Sequence, residues 1–167
     1  MQYEKIEWKQ DLDTGIRLID RQHREFIGLV NKLLDSSLKA DDSKLIIDSF
    51  SFLKYYISEH FSVEESAMLT YDYPHYGIHK SIHDTFREEI NGMETTLKTR
   101  NSPHEMSMKL NYLIVNWFMN HIKVEDNKLC RFLEARAEEK NELLSDKLET
   151  IVSAFFKRGP SFTSAQV

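Results

Sequence analysis

Four long segments of this sequence carry apolar residues at a spacing that alternates between four and three positions. This spacing keeps residues on one face of an α-helix and is typical of helices that pack together in a bundle. The chain contains only five Gly and three Pro, and short polar stretches such as "KADDS", "TYDYP" and "RNSPH" separate the segments. The sequence therefore predicts four helices, at Ile16–Leu38, Lys44–Leu69, His75–Thr99 and His104–Leu133.

The short connections between these helices favour antiparallel neighbours. The expected fold is all-α, an antiparallel up-down-up-down four-helix bundle, preceded by an N-terminal arm in which Ile6 and Trp8 pack on the bundle. A further amphipathic helix is expected at about Glu138–Phe156, where it could pack back on the bundle, form a homo-oligomer or dock a partner. We expect a bundle domain over residues 1–135, a helical extension over 136–157 and a flexible tail over 158–167.

Composition argues against several other classes of protein. The 167 residues, 41% hydrophobic and 29% charged, suit one globular domain. The net charge of -5, with basic and acidic residues interspersed, gives no basic surface for nucleic acid or for a membrane. The sequence shows neither a secretion signal nor a membrane span, so a cytoplasmic location is expected. Cys130 is the single cysteine, which excludes an internal disulfide, and we expect a buried, unreactive thiol.

Each of the four predicted bundle helices carries at least one histidine on its apolar face, accompanied by Glu64 in the second helix and by Asp126 later in the fourth. A single buried imidazole is readily explained by a hydrogen bond to a neighbour, but five imidazoles and two carboxylates need more than that. Left without partners, they would cost several kcal/mol per carboxylate and about 1–3 kcal/mol per imidazole, against a total stability of about 5–15 kcal/mol. Basic residues such as Lys80 and Arg87 lie off these faces. The seven groups are His23, His60, Glu64, His79, His83, His121 and Asp126.

Their spacing predicts a metal site at one end of the bundle. Two pairs lie four residues apart and share a helix face, His60 with Glu64 and His79 with His83. His121 and Asp126 lie five apart, a rotation of about 500°, which makes this pair the weaker fit. Seven donors exceed the four to six ligands of one ion and suit two ions bridged by the carboxylates. The nitrogen and oxygen donors suit iron, manganese or zinc better than calcium or magnesium.

The motifs around these residues resemble those of the bacterial hemerythrins, non-haem di-iron proteins that bind dioxygen in a four-helix bundle. The resemblance extends from about Trp8 to Phe132. It is carried by Trp8 and by "TGI…IDRQH", "HFSVEE", "YPHYGIHKSIH" and "WFMNHIKVED".

The resemblance implies two iron ions joined by an oxo or hydroxo bridge. One iron would be held by His79, His83 and His121, and the other by His23 and His60. Both irons would be bridged by the carboxylates of Glu64 and Asp126. Dioxygen is expected to bind reversibly at the iron with fewer protein ligands. The implied protein is an oxygen carrier, store or sensor and not an enzyme.

Other functions of a di-iron site stay open at this point. One alternative is an oxidase, peroxidase or nitric oxide reductase, and another is iron handling. Related repair proteins show His-x-x-x-Glu in the last helix, whereas this chain has "HIKVED". The Glu-x-x-His pairs of carboxylate-rich di-iron proteins are absent from the predicted helix faces.

Five polar residues near the motifs have other expected roles. His75 and His104 follow Pro74 and Pro103 at predicted helix starts, so they are expected at the surface or as caps. The remaining three could orient imidazole N–H groups as outer partners of the metal ligands: Asp20, Gln22 and Glu59.

Overall fold

The computed structural model describes residues 5–39, 43–100 and 103–156, and within these ranges it is helical with no strand. The helices begin and end within one residue of their predicted positions over the first three segments. They are α1 (Arg17–Lys39), α2 (Ser43–Thr70), α3 (Tyr76–Arg100), α4 (Pro103–Leu113), α5 (Met119–His121), α6 (Asn127–Glu139) and α7 (Leu144–Phe156).

Two π-helical turns join α4, α5 and α6 into one continuous helix over residues 103–139. The turns are Ile114–Phe118 and Ile122–Asp126. This composite helix packs against α3 and α1, and α2 packs against both of those helices. The four helices thus surround a common core as neighbours in chain order, which confirms the predicted all-α four-helix bundle.

The predicted end of the fourth helix at Leu133 is wrong, because the helix continues to Glu139. It ends where Asn141 adopts a left-handed conformation, with φ 52°. The Glu142 N–H then bonds the Ala137 carbonyl and the Asn141 N–H bonds the Glu138 carbonyl. This is the Schellman arrangement, in which the two carbonyls left free by the last turn find donors. The predicted domain boundary at residue 135 lies inside α6 and stays a prediction.

The core of the bundle consists of two apolar clusters separated along its axis. The upper cluster includes Phe26 of α1, Phe61 of α2 and Phe118. The lower cluster includes Ile19 of α1 and Val63 of α2. Each helix thus passes from one apolar cluster to the other within a few residues, and the predicted metal ligands lie at or beside this transition.

The two segments outside the bundle both pack on it. In the arm, the Ile6 N–H donates to Oδ1 of Asn31 and the Asn31 side chain donates back to the Ile6 carbonyl. Helix α7 packs along α2, and Leu148 is fully buried in the lower cluster. The expectation that α7 could return to the bundle is therefore confirmed, while the expected tail over 158–167 lies outside the described residues. No helix among those described is long and apolar enough to cross a membrane.

Candidate metal centre

Seven polar side chains form a buried layer between the two apolar clusters. None of the seven is more than 3% exposed: His23, His60, Glu64, His79, His83, His121 and Asp126. Their donor atoms fall into two groups that could each hold a metal ion. One group consists of Glu64, His79, His83, His121 and Asp126, and the other consists of His23, His60 and, again, Glu64. All seven residues predicted from the sequence are therefore brought together.

Glu64 directs its two carboxylate oxygens towards different histidines. Its Oε1 lies 3.5 Å from Nε2 of His60 and 3.9 Å from Nε2 of His23. Its Oε2 lies 3.2 Å from Nε2 of His83. One carboxylate thus faces both groups of imidazoles, as a bridging ligand must.

Asp126 divides its oxygens in the same way. Its Oδ2 lies 3.3 Å from Nε2 of His23. Its Oδ1 lies 3.3 Å from Nε2 of His79 and 3.0 Å from Nε2 of His121. The layer therefore contains two carboxylates that each face both a group of three histidines and a group of two.

The donor set fits metal ions better than it fits hydrogen bonds within the protein. Adjacent ligands at right angles around an ion, each about 2.1 Å from it, would lie roughly 3.0 Å apart, close to the observed spacing. His83 and His121 place their Nε2 atoms 3.0 Å from each other. Both carboxylates and three of the imidazole Nε2 atoms are buried without a hydrogen-bond partner: Glu64, Asp126, His23, His60 and His79. Buried polar atoms normally have partners, so this set points to bound cations.

The π-helical turn at Ile122–Asp126 brings His121 and Asp126 onto one face of the helix. The Asn127 N–H bonds the Ile122 carbonyl, five residues back, in place of the usual four. This wider turn accommodates one extra residue, so a spacing of five brings the carboxylate back beneath the imidazole. The sequence prediction treated this pair as the weaker fit because it assumed a regular α-helix.

Outer hydrogen bonds hold two of the five imidazoles. The Nδ1 atom of His60 lies 3.0 Å from Oε1 of Gln22, which confirms one of the three outer partners predicted from the sequence. The Nδ1 atom of His83 lies 3.0 Å from Oε1 of Glu65, a partner that the sequence prediction missed. Asp20 instead accepts hydrogen bonds from the backbone N–H and the hydroxyl of Thr14.

Aromatic rings enclose the layer from the upper side. Phe61 stacks on His83 with centroids 3.8 Å apart, and Trp117 stacks on His121 at 4.7 Å. Near the two-histidine group, Trp8 of the arm stacks over His23 at 6.1 Å. These rings are apolar surfaces that keep water away from the imidazoles.

Burial sets the protonation of the layer. It lowers the pKa of His60 and of His83 well below the ordinary value, with the charge of neighbouring imidazoles as the next cause. Neutral imidazole is the form that binds metal. Burial and then the charge of Asp126 raise the pKa of Glu64 well above its ordinary value. Burial also acts to raise the pKa of Asp126, but the surrounding imidazoles, His121 first, hold that pKa well below its ordinary value.

Other side chains lie outside the layer. His75 is exposed, as predicted, and the side chain of His104 lies outside the described residues. Cys130 is buried, and burial raises the pKa of its thiol well above the ordinary value, which suits the predicted unreactive role.

Comparison with known proteins agrees with this geometry. The family model of the hemerythrin HHE cation binding domain matches residues 14–133. The chain belongs to the hemerythrin family. This match begins just before α1, ends inside α6 and leaves out α7.

Curated relatives of this chain carry the name bacteriohemerythrin. That of Pseudomonas aeruginosa strain PAO1 is 28% identical over 142 residues, which are 85% of this chain and 88% of the relative. That of Stenotrophomonas maltophilia is 31% identical over 71% of this chain and 75% of the relative. That of Aquifex aeolicus is 30% identical over 72% of this chain and 91% of the relative.

Proposed function

We propose that this protein binds dioxygen reversibly at a centre of two iron ions, as a carrier, store or sensor. The observation that carries this proposal is the division of both carboxylates, Glu64 and Asp126, between two groups of imidazoles. The proposed ligands of one ion are His79, His83 and His121, those of the other are His23 and His60, and both ions share the two carboxylates.

The irons, when bound, would supply the electrons that dioxygen takes up and returns. The chain's own residues hold this centre in place and keep it dry. Five neutral imidazoles and only two carboxylates place little negative charge around the ions. Such a donor set is less suited than a carboxylate-rich one to the high-valent iron that breaks the O–O bond, which favours reversible binding over oxygenase chemistry.

The two-histidine group has the geometry expected of the dioxygen side. It offers fewer protein donors than the three-histidine group, so an ion held there would have room for a further ligand. His23 lies beneath Trp8, and Phe118 meets the same imidazole edge-on at 5.8 Å. These rings surround the position with apolar surface, which favours a small uncharged ligand and disfavours water.

An absorption spectrum of the reduced, iron-loaded protein before and after exposure to air tests the proposal, with iron quantified on the same sample. Two irons per chain and a new visible band that disappears when oxygen is removed would support it. Rapid passage to the oxidised protein with continued consumption of reductant would instead indicate an oxidase, peroxidase or nitric oxide reductase. A cytoplasmic location, the absence of nucleic-acid and membrane partners, and oligomerisation or docking through α7 stay predictions.

A further inference from the structure

The two outer hydrogen bonds of the polar layer differ in charge although they have the same length. Behind the two-histidine group, Gln22 offers a neutral amide oxygen 3.0 Å from Nδ1 of His60. Behind the three-histidine group, Glu65 offers a carboxylate oxygen 3.0 Å from Nδ1 of His83. The two candidate metal positions are thus unequal in the groups that support their ligands, as well as in their number of histidines.

Glu65 is held on its outer side by Arg87. Nη1 of Arg87 lies 2.8 Å from the same Oε1 that faces His83, and 2.9 Å from Oδ1 of Asp84. Arg87 also places its guanidinium 5.2 Å from the ring centroid of Phe61. Because Phe61 stacks on His83 with an angle of 7° between the rings, the imidazole is fixed both in its plane and at its Nδ1.

The chemistry of a carboxylate determines what this contact does. A carboxylate can only accept, so His83 must donate its Nδ1 proton and direct the lone pair of Nε2 towards the centre of the layer. A charged acceptor also makes the imidazole a stronger donor to a cation. An amide oxygen fixes the same tautomer at His60 without adding charge.

We propose that Glu65 is a positioning residue that raises the affinity of the three-histidine position for a metal ion, above all for the more highly charged ferric ion. The neutral Gln22 gives the two-histidine position no such support. The inference rests on the proposed di-iron function. It predicts that removing the charge of Glu65 weakens metal binding at the three-histidine position alone, and that adding a charge at Gln22 strengthens metal binding at the two-histidine position alone.

Anaerobic titration of the metal-free full-length protein with Co²⁺ against a chromophoric chelator tests this directly. Glu65→Ala is expected to lower the affinity of one of two ions by about 10–100-fold and to leave the other within about 2-fold. Glu65→Gln keeps the shape and an acceptor but removes the charge, so its affinity for that ion should lie between those of Glu65→Ala and the wild type. Glu59→Gln is the matched control on α2. Glu59 adjoins the candidate ligand His60 as Glu65 adjoins Glu64, but among the described residues it forms no hydrogen bond to an imidazole, contrary to the sequence prediction, so this variant should behave as the wild type.

The reduction potential of the iron-loaded protein separates a charge effect from a loss of structure. Glu65→Gln should raise the midpoint potential, because the ferric ion loses a nearby negative charge, and Gln22→Glu should lower it. Affinities and potentials equal to the wild type in Glu65→Ala and Glu65→Gln would overturn the inference, even where two ions bind. A wild-type protein that binds no pair of ions would overturn the proposed function instead, so the two failures are distinguishable.

Discussion

Metal binding should account for a large part of the stability of this protein. Seven inward-facing atoms of the polar layer are buried without a hydrogen-bond partner, three imidazole Nε2 atoms and four carboxylate oxygens. At about 1–3 kcal/mol for each unsatisfied buried atom, the empty layer would cost from about 3 to roughly 20 kcal/mol, the lower end applying where imidazoles donate to Asp126. That range is comparable with the total stability of a typical domain, about 5–15 kcal/mol, so the metal-free bundle is expected to be marginally stable or to rearrange around the layer.

The size of the stabilisation follows from mass action. An ion present at 100 times its dissociation constant stabilises the folded state by about 2.7 kcal/mol, so two ions contribute about 5 kcal/mol. For a chain of this length, each kcal/mol raises the melting temperature by about 2–4 °C. Loading both positions should therefore raise Tm by about 10–20 °C.

Circular dichroism at 222 nm, recorded through thermal unfolding without oxygen, measures this shift. Metal-free protein would be melted with zero, one, two and three equivalents of Fe²⁺ or Zn²⁺. Tm should rise up to two equivalents per chain and then level off. A plateau at one equivalent would refute the two-ion arrangement, and an unchanged Tm would refute the argument that cations satisfy the buried layer.

Three further outcomes are expected. Glu64→Gln should weaken both ions, because each carboxylate oxygen faces a different group of histidines, and metal analysis after dialysis should find less than one ion per chain. Leu148→Ala should destabilise the protein by about 2–5 kcal/mol in chemical denaturation and keep two ions per chain, because Leu148 is fully buried in the lower cluster and is not a candidate ligand. The metal-free protein should lose stability as pH falls below 6.5. Between pH 4.5 and 6.5 the unfolded chain binds protons at His60 and His83, which stay neutral in the folded chain. Glu64 acts in the opposite sense, because it keeps a proton when folded and releases it when unfolded. The unfolded chain thus binds one more proton, so denaturant titrations should show the free energy of unfolding falling by about 1.4 kcal/mol for each unit of decreasing pH.

The sequence predicted the helices and the composition of the layer because both follow from one periodic pattern. A helix that buries one face must repeat its apolar residues every three or four positions, and all the candidate ligands except Asp126 occupy positions in that same repeat. The left-handed turn that ends α6 was missed because it uses Asn141, where glycine is the commoner signal.

Glu65 was missed for a different reason. It directly follows Glu64, so it lies off the inward face and a helical repeat assigns it to the solvent side. Its side chain nevertheless reaches Nδ1 of His83 on the neighbouring helix and is only 15% exposed. Contacts of this kind depend on how α2 and α3 sit against each other, and periodicity within one segment does not contain that information.

The π-helical turn at Ile122–Asp126 shows how the fold gains a candidate ligand that a regular helix would not provide. Between His121 and Asp126 the chain takes five residues for one turn, which places the carboxylate beneath the imidazole and opposite His23 of α1. Regular α-helical hydrogen bonding is lost locally, and Ile122 still remains fully buried in the upper cluster. Buried packing holds this wider turn on one side, and on the other side the turn leads to a buried carboxylate. Such a turn is stable only if the carboxylate has a partner. Cations bound at the layer would therefore account for both the distorted helix and the unpartnered oxygens of Asp126.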